Sequence, residues 1–478
     1  MIARIAKHDW RVLKADRTLW AIALLLVLTI GYGVRNGAAW VGFQKANVAG
    51  AAHEEVERLA KMKRAIADLN AGRVKLPSFR DPRNAFSTGY TMGAHWAVMP
   101  PGPLAPLAIG QSDLLPYYFK VSLRSRDTIL GNDEIENPVH LLSGRFDLAF
   151  VIIYLYPLVI LALSYNLISG EKEDGTLAIT LSQPVSLRAL SLGKILFRGA
   201  FVVALATVLS IGGALASGVS FAADGVWIRM AMWIAVVAAY GAFWFLLAVA
   251  VNALGRGSSA NAVMLAGCWL AFVLLIPSLL NVAIKTAHPV PSRVEMIQAM
   301  RTASDEITAQ RSKLMAKYLE DHPELAGAPD DTMAQLAIRN VVMMEETERR
   351  VQPVLDRFDR QLMLQQQLVD RYRFFSPAIL TQSALYDLAG TNSFRYKHFL
   401  GLVDTFHKQW REYFFPLMVK KVMLSEGDLE AMPRFAFMEE PAAAVLGRAS
   451  AGLAGLLALS ALVLLVALRL LRGYPIAG

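Results

Sequence analysis

The chain has 478 residues, of which 55% are hydrophobic and 18% are charged, and its mean hydropathy is +0.39. Soluble globular proteins carry about 25% charged residues, so this composition excludes an ordinary soluble protein. The net charge of +9 lies largely beside apolar segments and does not indicate nucleic-acid binding, and the single cysteine, Cys268, excludes a disulfide framework and a cysteine-based metal site.

Six stretches contain no Asp, Glu, Lys or Arg, and each is about long enough to cross ~30 Å of hydrocarbon at ~1.5 Å per residue. They lie at 18–34, 148–170, 199–223, 230–254, 261–284 and 449–468. We therefore predict a mainly α, polytopic membrane protein with six transmembrane helices. A cleaved signal peptide is the alternative for the first stretch, but Tyr32, Arg35 and Trp40 crowd its end and favour a retained span.

Positive charges flank the spans. Lys and Arg dominate residues 1–17, and Arg469 and Arg472 follow the last stretch. Because positive flanks stay on the cytoplasmic side, we expect a multi-pass membrane protein with both termini, including a tail at 469–478, in the cytoplasm. Residues 1–17 predict an amphipathic helix on the inner face; a charged flank that only orients the first span explains them equally well.

Two large insertions separate the spans, at 35–147 and 285–448, and both are expected outside the cytoplasm. The first begins as a helix around 53–69 and then becomes irregular. The proline-rich run at 99–106 excludes a helix or a central strand, whereas the aromatic and β-branched run at 117–123 predicts a short strand.

The second insertion reads as mostly helical. Ser376-Pro377 predicts the start of a helix that Gly390 ends, and Ser393 is expected to cap the next one. That helix carries an apolar stripe, namely Phe399, Leu402, Val403, Phe406 and Trp410. Core packing is the favoured interpretation of the stripe, and a ligand-binding face is the alternative.

The loop at 171–198 holds the chain's most informative cluster of charges, on the face where both termini are expected. Its candidate functional residues are Glu171, Lys172, Glu173, Asp174, Gly175, Thr176, Pro184, Arg188 and Lys194. The acidic residues form a patch that can dock on a partner, glycine permits a sharp turn, and the proline is expected to open a helix whose Arg188 and Lys194 reach the same partner. A solvated loop that only follows the positive-inside rule is the alternative.

No catalytic constellation is visible. Gly193-Lys194 lacks the upstream glycine and the following Ser or Thr of a phosphate-binding loop, and no His-Glu-x-x-His is present. The spans hold no ionisable residue for ion coupling, so energy has to enter through the aqueous loops. Arg229, at the outer end of the fourth span, is expected to snorkel to the headgroups. We therefore expect a non-enzymatic chain without a cofactor of its own.

Small residues are frequent in the third and sixth spans. They are Gly212, Gly213, Ala216 and Gly218 in one, and Ala451, Gly452, Ala454 and Gly455 in the other. Such residues permit close contacts between helices, within the chain or with a second membrane subunit.

The region from about 146 to 284 resembles the membrane subunit of ABC-2 type ABC transporters. The resemblance rests on the Glu-rich segment 168–177 after the second span, on Ser182-Gln183-Pro184 and on the short helix 187–194. It implies a permease whose loop 171–198 couples to cytoplasmic ATPase subunits, which bind ATP and Mg, and a second permease subunit as partner. Segments 103–122 and 376–399 are similar to a bacterial subgroup with large periplasmic regions. This similarity implies that the chain lies in the bacterial inner membrane and that both insertions are periplasmic.

Three functions remain open at this point. In the first, the chain is the permease of an ATP-driven exporter. In the second, it transmits motion through its outer domains to a periplasmic partner. A third possibility is an envelope sensor or scaffold that does not transport.

Overall fold

The computed structural model describes residues 9–11, 17–124, 145–183, 185–223, 225–289, 293–321 and 332–474. Six of its helices are long and apolar enough to cross a membrane. In chain order these six spans are Leu19–Asn70, Leu148–Glu173, Leu187–Ala216, Val226–Asn252, Ser258–Ala287 and Ala442–Leu470. The prediction of a mainly α, polytopic membrane protein is confirmed. The amphipathic helix expected over 1–17 lies mostly outside the described residues.

The first span belongs to an unbroken helix, Arg17–Asn70, of 54 residues. At ~1.5 Å per residue this helix is roughly 80 Å long, well over the ~30 Å thickness of the hydrocarbon. The span and the helical start of the first insertion are therefore one rigid rod, which the alternation of apolar and charged stretches did not reveal.

The second and fourth spans form the centre of the bundle. Two-thirds of the most apolar window of each (67%) is buried, against 11% for the fifth span. Tyr240 Oη of the fourth span donates to the carbonyl of Ile153 at 2.9 Å, and Trp233 and Trp244 are fully buried beside it. Because the outer spans leave their apolar faces uncovered, those faces are available to lipid or to another subunit.

In its described residues, 35–124 and 145–147, the first insertion carries little regular structure beyond the long helix. A 3₁₀ turn, Ser78–Arg80, is followed by a helical turn, Ala85–Ser87, and a π-helical turn, Thr88–Met92. Strands β1 (His95–Val98) and β2 (Tyr118–Val121) pair antiparallel with His95 opposite Val121. The strand predicted at 117–123 is confirmed, and the run at 99–106 forms turns, as its prolines require.

The second insertion is helical, as predicted. Its helices are α1 (Arg293–Ala309), α2 (Arg311–Asp321), α3 (Thr332–Tyr372), α4 (Pro377–Ala389), α5 (Ser393–Val419) and α6 (Glu426–Ala431). A 3₁₀ turn, Arg373–Phe375, joins α3 to α4.

The predicted ends of α4 are confirmed. Ser376 Oγ accepts from the amide of Ile379, and Gly390 ends the helix in the left-handed conformation. The predicted cap of α5 is wrong, because Asn392 rather than Ser393 accepts from the amide of Arg395. Asn392 precedes the helix by one residue and so has the extended backbone that a capping side chain requires.

The apolar stripe of α5 forms a core of the outer domains. Phe399, Val403, Phe406 and Trp410 are 0–3% exposed and pack against residues of both insertions. Trp410 Nε1 also donates to the carbonyl of Gly89 at 3.1 Å. Core packing, the favoured interpretation of this stripe, is confirmed.

Helix α4 lies inside the membrane bundle, although its sequence belongs to the second insertion. Its buried residues join the core of the spans, and Ser376 Oγ donates to the carbonyl of Phe272, halfway along the fifth span, at 2.6 Å. On its other side, a Cβ atom on Gly452 of the sixth span would lie 3.2 Å from the Cβ of Ala384. The predicted role of small residues in close helix contacts is confirmed here.

Candidate functional site

The loop between the second and third spans is a compact helical hairpin. Helix Ser169–Glu173 turns at Gly175 into helix Thr176–Leu181, and the helix of the third span starts at Leu187. Gly175 has φ +71°, a left-handed conformation in which other residues are strained. The sharp turn expected at this glycine is confirmed.

The start of the third span differs from the expectation for Pro184. The helix begins at Leu187 and is capped by Ser186, whose Oγ accepts from the amide of Ala189; Pro184 itself lies outside the described residues. The predicted short helix 187–194 continues without a break to Ala216. Any force on this end of the helix therefore acts directly on the third span.

Lys194 is turned into the bundle. Its Nζ lies 2.6 Å from Glu171 Oε1 and donates to the carbonyl of Leu167 at 2.9 Å. Lys194 is 8% exposed, so the expectation that it reaches a partner surface is wrong. It faces inward because the carboxylate and the carbonyl of the neighbouring span compensate its desolvation. The pair holds the loop and the second span against the third.

Glu173 connects the loop to the fifth span. Its Oε1 accepts from the amide of Ser258 at 2.6 Å, and its Oε2 accepts from Ser258 Oγ at 2.7 Å. Ser258 is the first residue of the fifth span, where unpaired amides and the helix dipole favour a carboxylate. The carboxylate thus acts as the cap of a helix to which it does not belong.

A buried polar network continues this connection under the loop. Asn252, at the end of the fourth span, accepts from the amide of Ile168 and donates to the carbonyl of Ser164, both at 3.1 Å. Asn261 of the fifth span donates to Ser169 Oγ at 3.1 Å and to Asn252 Oδ1 at 3.3 Å. Both asparagines are 0% exposed. Their position in otherwise apolar segments was a signal that the sequence offered and that the prediction missed.

The loop rests on the end of the sixth span. Leu177 is 2% exposed and belongs to an apolar cluster with Leu190 of the third span and Ala467 and Leu471 of the sixth. The ammonium of Lys172 lies 6.0 Å from the ring centre of Tyr474, just beyond that span. The loop therefore contacts the second, third, fifth and sixth spans together.

Half of the predicted residues that the structure describes are exposed. Glu173, Asp174, Gly175 and Thr176 lie at the exposed turn of the hairpin, and Arg188 is half-buried. Ile179, on the second helix of the hairpin, is 67% exposed and was not among the predicted residues. The tip of the hairpin thus combines acidic side chains with one large apolar side chain, a pairing suited to docking on another protein surface.

A second polar cluster lies at the opposite end of the bundle. Arg448 of the sixth span forms ion pairs with Asp387 of α4 (3.1 Å) and Glu440 (2.8 Å), and Arg395 of α5 pairs with Glu439 (2.7 Å). These contacts join the outer helices to the membrane core, and Asp387 and Arg395 in them are buried.

Arg229 points into this second cluster. It is 5% exposed, and its Nη1 donates to the carbonyl of Leu388 at 3.3 Å. The prediction that it snorkels to the headgroups is wrong, because α4 fills the end of the bundle and offers a carbonyl there. Within the described parts of the chain, no group of three or more His, Cys, Asp or Glu side chains could hold a metal ion.

Comparisons with known proteins support a relationship to ABC transporter permeases. The chain is 33% identical over 138 residues to the probable ABC transporter permease protein NosY of Stutzerimonas stutzeri, and 32% identical over 132 residues to that of Pseudomonas aeruginosa. The matches cover 27% and 26% of this chain, and 48% and 46% of the relatives. The chain thus spans about half the length of the curated relatives it matches.

A family model matches another part of the chain. Residues 293–438 match a domain of unknown function, DUF3526. The match begins with α1 and ends one residue before Glu439, so it contains the outer helices and also the membrane-embedded α4. The domain defined by sequence is therefore not confined to the outer part of the molecule.

Proposed function

We propose that this chain is the membrane subunit of an ATP-driven ABC transporter of the ABC-2 type, and that it exports its substrate. Loop 171–198 would couple it to separate cytoplasmic ATPase subunits, which bind ATP and Mg, and a second permease subunit would complete the pore. The observation that carries the proposal is the anchoring of the loop by Glu171–Lys194 and Glu173–Ser258, because these contacts connect one exposed hairpin to three spans.

The anchoring suggests how work would reach the membrane. An ATPase that moves on binding ATP would push on the tip around Asp174 and Ile179. Because the loop contacts four spans and continues into the third without a break, its displacement would tilt these spans as a unit. The similarity to ABC permeases supports the nature of the partner.

The proposal is tested by purifying the tagged chain from its host membrane and measuring whether a soluble ABC ATPase subunit co-purifies with it. Glu171 and Glu173 are poor positions for this test, because they hold the loop itself. Asp174→Lys and Ile179→Asp alter exposed side chains and should abolish binding of the ATPase. Asp359→Lys and Val56→Asp make matched changes at exposed positions of the outer domains and should leave it intact. Full binding by both loop variants contradicts the proposal.

A second candidate function is the transmission of motion to a periplasmic partner. Two observations favour it: the first span is continuous with a rod that reaches into the outer domains, and Arg395–Glu439 ties α5 to the segment entering the sixth span. Motion of the spans would then move the outer helices as well.

Spin labels can separate the two candidates. Labels at the exposed positions Lys61, on the long first helix, and Arg357, on α3, report the distance between the outer elements in the complex with its ATPase. A change of distance on ATP binding supports transmission, whereas an unchanged distance in a complex that transports rejects it. Deletion of 290–434 does not serve this purpose, because it removes α4 from the membrane core.

A further inference from the structure

A cavity of about 260 Å³ lies in the outer part of the molecule, between α3, α5 and the first insertion. One face of α5 forms its floor, through Lys408, Glu412, Phe415 and Met418. These positions follow the three- and four-residue spacing of a single helix face. No residue of loop 171–198 lines the cavity, so the inference drawn from it does not rest on coupling to an ATPase.

The walls of the cavity are apolar and adaptable. Phe86 and Tyr90 stack with their ring centres 5.4 Å apart, and Met344 of α3 lines the cavity with them. Leu123, two residues after β2, also contributes to the lining. Aromatic rings and flexible thioethers form favourable contacts with apolar groups of varied shape, and the volume lies near the lower limit for small-molecule sites. The cavity therefore suits one large apolar side chain.

The mouth of the cavity holds charges of both signs. Arg411 is already neutralised, since its guanidinium pairs with Glu345 at 3.1 Å and Glu348 at 2.9 Å. Lys408 and Glu412 are exposed, and neither forms an ion pair with another described residue. One turn of α5 separates them, so a cation and an anion are both available to a ligand beside the apolar walls.

We propose that this cavity binds a short peptide through a large apolar side chain, with the peptide's carboxylate at Lys408 and its ammonium group at Glu412. A fatty acid would use the cation alone and an alkylamine the anion alone. An apolar zwitterion is the ligand chemistry that uses the walls and both charges together.

The experiment measures saturable binding to the full-length chain in lipid nanodiscs by saturation-transfer NMR. Three probes are compared: the dipeptide leucyl-phenylalanine, octanoate and octylamine. Lys408→Glu should weaken dipeptide binding by about 5- to 10-fold, as expected for loss and reversal of an exposed ion pair. Lys420→Glu is the matched control, since Lys420 is exposed at the end of α5 and does not line the cavity; it should leave binding unchanged.

Two further variants exclude indirect effects. Met344→Trp fills the cavity and should abolish dipeptide binding. Lys408→Glu combined with Glu412→Lys restores one charge of each sign and should recover binding lost in Lys408→Glu alone. The proposal is overturned if the dipeptide does not bind saturably, if octanoate or octylamine binds as tightly, or if Lys408→Glu has no effect.

Discussion

Glu173, at the end of the second span, caps the first turn of the fifth span by accepting hydrogen bonds from both the amide and the hydroxyl of Ser258. The two residues are 85 positions apart in the sequence. A carboxylate that ordinary helices obtain from their own preceding residue is supplied here by a neighbouring span, so separating the loop from the fifth span removes the acceptor of the Ser258 amide.

Glu173→Ala should loosen the start of the fifth span. Removing the carboxylate leaves the amide of Ser258 without its acceptor, and the first turn should open more often. Hydrogen exchange followed by mass spectrometry should show faster uptake in peptides covering 255–262. Asp174→Ala, the neighbouring acidic residue at the exposed tip, should leave that uptake unchanged, and equal uptake in both variants would refute the cap.

Lys194→Met should destabilise the protein by about 2–4 kcal/mol. It leaves Glu171 facing a poorly hydrated site without its cation, a cost that partial exposure of the carboxylate reduces below that of a fully buried pair. Thermal unfolding in detergent measures the loss. The double variant Glu171→Gln with Lys194→Met should lose less than the sum of the two single variants; strict additivity would show that the pair is not energetically coupled.

Gly175→Ala should cost roughly 1–2 kcal/mol through backbone strain alone. The glycine has φ +71°, and a Cβ atom there would meet no atom within 4 Å. Gly401→Ala is the contrasting control, because that helical glycine also has open space around it and the substitution should stabilise α5 by about 0.5–1 kcal/mol. Thermal unfolding compares the two variants, and a neutral Gly175→Ala would show that the turn can relax.

The membrane spans could be predicted from the sequence because long uncharged stretches have one physical solution in lipid. The location of α4 could not. Its composition fits both an outer helix and a membrane-embedded one, and only the contacts of Ser376 and Ala384 with the fifth and sixth spans decide between them. The continuity of the first helix could not be predicted either. Charged residues beyond Val34 mark the end of the apolar stretch, but the helix continues past them.

A hairpin does connect the second and third spans where the sequence predicted a loop, but the inward direction of several of its side chains was not predicted. The sequence places Glu171, Glu173 and Lys194 in one loop. It does not show that these side chains bind residues of this same chain, because those contacts depend on how the spans pack. Asn252 and Asn261 could have been singled out, since buried amides in apolar segments need partners. Ile179 had no such signal, because an isoleucine beside a membrane span ordinarily reads as part of the core.

The outer domains should lose stability in mild acid through His407. Burial lowers the pKa of this histidine in the folded protein, with Glu348, Arg411 and Asp404 facing it and Nε2 2.9 Å from the carbonyl of Arg124. The unfolded chain has the ordinary pKa of about 6.5, so it binds a proton more readily than the folded state as the pH falls below that value. Stability is therefore retained above about pH 6.5 and lost below it.

His407→Gln removes this titrating group, so the folding stability of the variant should fall less steeply as the pH is lowered. Thermal unfolding of both proteins between about pH 7.5 and about pH 5.5 measures the difference, on either side of the ordinary histidine pKa. The variant can be less stable than the parent at the higher pH, but the difference in unfolding temperature between the two proteins should narrow as the pH falls. A gap that widens in acid would show that protonation of His407 stabilises the fold and would reverse the sign argued here.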